Sequence, residues 1–285
     1  MNWIIVKKFP LETDLSSVSD FLHQRHVVHQ IYEDAGEQVV AVQDPAMVEP
    51  ILEFIMGVSQ GKIQIEKNTN KTLVESQAPT LVDQIVFAPV SSVLILLSIL
   101  GALLVYLDPN FNYVHWLTFN NFDSQNITPV LHSLSAGEIW RLLTPAFLHF
   151  GAMHVIFNSL WMWDLGRRLE LLLGAKIYIL FFVTTALFSN MAQYVWAGPS
   201  LFGGMSGVVY ALVGFIMVSH KLAPHKLTAV PRSLIGFMLF WLVFCMTGII
   251  DYFIGAGVAN AAHVGGLIAG ALFALFTAHK IKKLK

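Results

Sequence analysis

Five polar residues stand inside strongly apolar stretches of this chain and have the types that proton transfer requires: His149, His154, Asn158, Ser206 and His263. A polar group without a partner in an apolar medium is costly, so each of them calls for a role. Ser206 lies in Gly203-Gly204-Met205-Ser206-Gly207. Glycines such as Gly204 just before a helix start let backbone N–H groups point at whatever the serine oxygen binds, which is the geometry of an oxyanion hole. The same string also suits close packing of small residues between helices. His263 follows Ala262 in a run where Ala262, Gly266, Gly270 and Ala274 repeat every four residues and lay small side chains along one helix face. Gly203, Gly207 and Ala211 form a matching stripe. If the two stripes face each other, His263 is carried to within about 3 Å of Ser206, where a neutral imidazole can take the hydroxyl proton. A single histidine in such a helix also reads as an interhelical hydrogen-bond partner.

His154 and Asn158 are four apart and share a helix face. Both donate hydrogen bonds without a fixed charge, which suits the oxygen of a tetrahedral intermediate. His149 lies about one turn further out and reads as supporting structure. Tyr210, one turn below Ser206, is placed either to pack against the imidazole or to fill the core. Helix-borne zinc proteases use His-Glu-x-x-His, whereas His149 and His154 are five apart with no intervening glutamate, so no metal and no cofactor is expected. Asp164 and Asp251 sit toward helix ends away from the serine, which leaves a serine and histidine dyad rather than a triad. Glu170, four before Gly174, reads as a structural hydrogen-bonding residue.

Hydrophobic residues make up 55% of the 285 and charged ones 12%, too apolar for an ordinary soluble globule. A net charge of −1 gives no basic footprint for nucleic acid. The single cysteine, Cys245, excludes a disulfide framework. Residues 1–10 lack the apolar core and cleavage site of a signal peptide, so the N-terminus is expected to stay in the cytoplasm.

Residues 1–66 read as a small α+β domain with a strand over 4–9, a helix over 15–24, a hairpin of 27–33 and 38–42, and a helix over 46–58. The segment 67–85 is a connector, polar from 67 to 77. Six apolar runs follow near 86–107, 148–165, 175–195, 205–219, 234–252 and 259–279, each close to the length that crosses a bilayer. Arg167, Arg168, Lys176, Lys221, Lys226, Arg232 and the terminal lysines fall on alternate connections and belong on the cytoplasmic side, so both termini face in. Ser206 then lies at or just inside the outer face, within reach of water. The connection of about forty residues before the second run carries Trp116, Phe119, Phe122 and Trp140 and reads as a flap or brace embedded partly in the interface, with a plain exposed loop as the alternative.

These residues resemble the rhomboid family of intramembrane serine proteases, in its bacterial GlpG branch, over the whole chain. The resemblance is carried by Trp140-Arg141, by His154 and Asn158, by Gly204 to Gly207, and by Ala262-His263 with Gly266 and Gly270. Pro145 departs from relatives that carry a histidine there. The resemblance implies a six-transmembrane-helix bundle with a cytoplasmic α+β domain, in a bacterial inner membrane. It implies Ser206 as nucleophile and His263 as general base, with His154, Asn158 and the Ser206 N–H as oxyanion donors. The fifth span with the outer loops would gate transmembrane protein substrates. A hydrophilic cavity lined by His149, His154, Asn158, Ser206 and His263 should open outward. A client-binding membrane chaperone is a second reading, disfavoured by the intact serine and histidine. A transporter would call for inverted repeats, which the two halves do not display. Oligomeric state is not encoded in any motif here.

Overall fold

The computed structural model describes residues 3–13, 15–25, 27–34, 36–59, 80–122, 127–254 and 257–283. The chain divides into two compact units, Met1–Ala78 and Pro79–Lys285. The polar stretch 67–77, read as part of a connector, lies outside the described residues.

In the first unit, β1 (Ile4–Pro10), α1 (Ser16–Gln24), β2 (His29–Asp34), β3 (Glu37–Val42) and α2 (Val48–Ser59) form an α+β fold. β3 is central and antiparallel to both neighbours. Its Val39-Val40-Ala41-Val42 run is fully buried, which explains why it does not alternate with polar residues. Gly36, at φ +82°, makes the turn into β3 that a side chain would strain. Phe9, Leu22, Val40, Val42, Ile51 and Ile55 close the core between sheet and helices.

The second unit begins with α3 (Leu81–Phe87), capped by a reciprocal Thr80–Asp83 box, so the end of the expected connector is helical. Pro89 lacks an N–H and restricts Ala88, which breaks the first apolar run into α3 and α4 (Pro89–Leu107). The long connection that follows is ordered into β4 (Asn121–Phe122), β5 (Ile127–Thr128), α5 (Val130–Ser135) and short 3-10 turns. The second run differs from its expected 148–165 span. Gly151 is extended, α6 (Ala152–Trp161) starts late, a π-helical turn covers Met162–Gly166, and α7 (Arg167–Leu173) continues from it. Residues 148–151 leave the helix because they instead aim the His149 ring inward, as described below.

Next come α8 (Ala175–Ala197), α9 (Ser206–Leu222), α10 (Arg232–Met246), α11 (Ile249–Ile254) and α12 (Asn260–Lys282). The fifth run stops at Met246 because Gly248, at φ +76°, turns the chain before α11. Among the described residues three helices, α4, α8 and α12, are long and apolar enough to cross a membrane, and α9 and α10 are shorter apolar helices. With 17 and 15 residues, α9 and α10 rise roughly 25 Å and 22 Å, less than a hydrocarbon core of about 30 Å.

α9 is the centre of the unit, buried continuously from Gly207 to Ile216. α12 lies along it at backbone distance: a Cβ on Gly266 would collide with the Gly207 carbonyl oxygen, and one on Gly270 with that of Ala211. Small residues permit this approach, and dispersion between backbones holds it. Gly203 is not part of the stripe. It precedes the helix and sits against the carbonyls of Leu148 and Pro145, at 2.8 and 2.9 Å from an added Cβ.

Candidate active site

The close approach of α9 and α12 brings His263 Nε2 to 2.8 Å from Ser206 Oγ. Ser206 is the first residue of α9, so its N–H is among those a helix start leaves unpaired. His263 sits one turn into α12 and is 6% exposed. The Tyr210 ring covers the imidazole with centroids 4.9 Å apart, and the Tyr210 hydroxyl donates to the Met238 carbonyl at 3.2 Å. Packing therefore orients the ring. His263 Nδ1 is buried and has no hydrogen-bond partner. Asp164 pairs with Arg168 at 3.0 Å and Asp251 accepts from Val258 N at 2.9 Å, so neither carboxylate serves the histidine.

Two further side chains gather around the loop before Ser206. Gly204, at φ +116°, occupies backbone space reserved for glycine, and a Cβ there would lie 2.5 Å from His154 Cε1, 2.6 Å from His154 Nε2 and 3.6 Å from Asn158 Nδ2. His154 and Asn158 thus converge beside the Gly204–Ser206 backbone, as their four-residue spacing predicts. His149 has a larger part than the sequence suggested. Its Nδ1–H donates to the Phe147 carbonyl at 3.0 Å, which leaves Nε2 as acceptor for Asn158 Nδ2 at 3.1 Å and Met205 N at 3.3 Å. One buried ring therefore fixes both the Asn158 amide and the loop that presents Ser206. Gly204 N donates to the Pro145 carbonyl at 2.9 Å, which anchors this loop.

Sequence reasoning missed Ser189 and Gln193 of α8. Ser189 Oγ donates to the Ala262 carbonyl at 3.0 Å, and Gln193 Oε1 accepts from Ala262 N at 3.1 Å. Both backbone groups of the residue before His263 are held by one helix. The signal was present: two polar residues spaced by four inside an apolar run. Asn190, between them, donates to the Leu142 carbonyl at 2.9 Å.

The long connection is braced by Arg141, whose side chain is wholly buried. It pairs with Glu138 at 2.6 Å and donates to the carbonyls of His115 at 2.6 Å and Thr118 at 2.9 Å. Trp140 Nε1 donates to the Trp116 carbonyl at 2.9 Å. Glu170 accepts from Val90 N at 2.9 Å and Ser91 N at 2.8 Å, placing a carboxylate on the N-terminus of α4, where the helix dipole favours it.

Residues 136–280, just over half the chain and including His149, His154, Asn158, Ser189, Gln193, Ser206 and His263, match the rhomboid domain. The chain belongs to the rhomboid family. Residues 1–69 of this rhomboid match the rhomboid N-terminal domain. Its relatives include the rhomboid protease GlpG of Photorhabdus laumondii, 39% identical over 188 residues, which are 66% of this chain and 61% of that protein. The proteins of the same name from Serratia proteamaculans and Yersinia pestis are 40% and 41% identical, covering 59% and 49% of this rhomboid and 55% and 48% of their own lengths. The matched stretches thus span about half to three-fifths of these relatives.

Proposed function

We propose that this rhomboid is an intramembrane serine endopeptidase that hydrolyses peptide bonds in or beside transmembrane segments of other membrane proteins. The observation that carries the reading is the 2.8 Å contact of Ser206 Oγ with His263 Nε2 in a chain of this family. His263 takes the hydroxyl proton as Ser206 Oγ attacks the scissile carbonyl. The negative oxygen is met by His154, by the Asn158 amide and by the Ser206 N–H. His263 then protonates the leaving amine, and water, activated by the same imidazole, releases the acyl group and restores the hydroxyl. His149 supports by orienting Asn158, Gly204 by giving His154 room, and Tyr210 by packing on the base. No step calls for a metal or cofactor.

The chain crosses the bacterial inner membrane six times in this reading: on α4, on the α6–α7 path, and on α8, α9, α10 and α12. The short α9 and α10 fit a hydrophilic recess that opens to the outer face and lets water reach Ser206. Both termini are cytoplasmic, in keeping with Arg167 and Arg168 at the start of α7, Lys176 at the start of α8, Lys221, Lys226 and Arg232 around the α9–α10 connection, and the lysines at the end of α12. In this reading 1–66 are a cytoplasmic α+β domain, 67–85 a connector whose end is already the capped helix α3 of the second unit, and 86–285 the protease. α10 and the outer loops would admit the substrate segment.

The test is cleavage of a tagged single-span reporter by purified protein in liposomes, with Ser206→Ala, His263→Ala and a chelator arm. Cleavage abolished in both variants and indifferent to chelator supports the dyad. A parent that leaves several reporters uncut refutes it.

A further inference from the structure

Of α10 only Met238, Leu242 and Cys245 are buried, so this helix is seated lightly on the bundle. Two side chains from the helices of the dyad reach its backbone: Tyr210, bonded to the Met238 carbonyl, and Asn260, whose Nδ2 donates to the Cys245 carbonyl at 3.2 Å. The orientation of the Asn260 amide is set by its partner, because a carbonyl only accepts. The other half of the amide, Oδ1, is buried and has no hydrogen-bond partner. An unpaired buried acceptor is unfavourable, and a residue serving only to hold α10 would need a donor alone.

The Cys245 carbonyl does not depend on Asn260. It also accepts from Gly248 N at 3.3 Å, as helix-end carbonyls commonly do, so the asparagine can withdraw without orphaning it. Asn260 opens α12 three residues before His263 and so lies on the same helix face, one turn outward from the dyad. A side-chain amide carries the same donor and acceptor pair as a peptide group. In the resting structure only the donor half is used.

We infer that Asn260 binds the substrate main chain: once α10 yields, its Oδ1 accepts from a peptide N–H and its Nδ2 donates to a peptide C=O of the extended segment lying over Ser206 and His263. The inference rests on the proteolytic reading above and deepens it. The ligand class is an unwound polypeptide recognised through its backbone, which makes this contact indifferent to side-chain sequence.

The experiment uses the full chain in detergent with two readouts: KM and kcat for a single-span reporter, and the rate at which a small fluorophosphonate, which has no peptide groups, labels Ser206. Asn260→Leu removes both polar atoms at similar size. Losing a two-point contact should raise KM by about tenfold or more, with kcat and the labelling rate within roughly twofold of the parent. Asn260→Asp keeps the shape without the N–H donor and, where Asn260→Leu does not fold, is expected to shift KM in the same direction. Asn260→Gln, which restores the amide, should recover part of the loss. Labelling and cleavage that fall together would mean that the amide only maintains the site, and an unchanged KM would mean that it never meets the substrate. Either result overturns the inference while leaving the protease reading intact. A parent that neither labels nor cleaves removes the protease reading and this inference with it.

Discussion

The imidazole of His154 occupies the space where a side chain on Gly204 would stand, with Cε1 only 2.5 Å from the position of a Cβ. The glycine's φ of +116° is itself closed to other residues. Gly204→Ala should therefore push His154 away from the Ser206 loop as well as strain the backbone by about 1–3 kcal/mol. The expected outcome is a fall in reporter turnover of roughly a hundredfold or more, the scale of losing one oxyanion donor. Parental turnover in Gly204→Ala would show that His154 does not act there.

In the proposed mechanism His149 acts through Asn158. His149→Phe keeps the ring volume but leaves the Asn158 amide and Met205 N without their acceptor. Turnover is expected to drop about tenfold or more through kcat, with KM little changed, because the loss falls on the transition state. A change confined to KM would place His149 in substrate binding instead.

Ser189 and Gln193 hold the same residue, Ala262, and should not behave independently. Gln193→Ala exposes an unpaired buried N–H and is expected to cost about 1–3 kcal/mol, and Ser189→Ala about 1 kcal/mol. The double variant should depart from the sum of the two by about 0.5 kcal/mol or more, as contacting sites do. Reversible unfolding in mixed detergent measures all three, and strict additivity would count against a shared clamp.

The closeness of α9 and α12 predicts a steep response to added carbon. Gly270→Ala would drive a methyl into the Ala211 carbonyl, and overpacking of this kind typically costs about 1–3 kcal/mol. Gly137, with open space around it but φ +87°, supplies the contrast: Gly137→Ala strains one turn and leaves the helix pair alone. The thermal midpoint should fall in both, and Ser206 labelling only in Gly270→Ala.

Acid should loosen the brace before it reaches the helices. The Arg141 guanidinium bonded to Glu138 holds its carboxyl below the usual carboxylate range, against burial, which pushes it up. Asp108 is likewise lowered: burial raises it, but the N–H groups of Val114, Tyr113 and Asn112 outweigh that. A folded-state pKa below the unfolded one means that the stabilisation is complete above the unfolded value and disappears as pH falls through the folded one. The thermal midpoint should be flat near neutrality and decline below a pH of about 4.5, and Glu138→Gln should make that decline shallower. An unchanged acid slope in Glu138→Gln would assign the effect elsewhere.

Much of this protein could be read along one dimension. The strands and helices of the first unit follow from period and turn residues, since Gly36 and the buried Val39–Val42 run are local signals. The pairing of Gly207 and Ala211 with Gly266 and Gly270 is written as a four-residue repeat of small side chains, so the meeting of Ser206 with His263 was legible before any coordinates. Where helices end was less so. Pro89, Gly151 and Gly248 interrupt apolar runs whose hydropathy continues unbroken, because hydropathy reports the medium around a segment and not its backbone angles.

Which polar groups meet is set by how distant segments pack. Nothing in the spacing of His149 connects it to Met205, 56 residues away, or links Gln193 to Ala262, 69 residues away. Such contacts join groups that each merely have to be paired somewhere, and in an apolar interior any donor will satisfy any acceptor that the fold brings within reach. A pair of apolar helices, one carrying a serine and the other a histidine, is written in the residue pattern. The fold determined which neighbours hold that pair in register, because partner choice depends on how distant segments pack together.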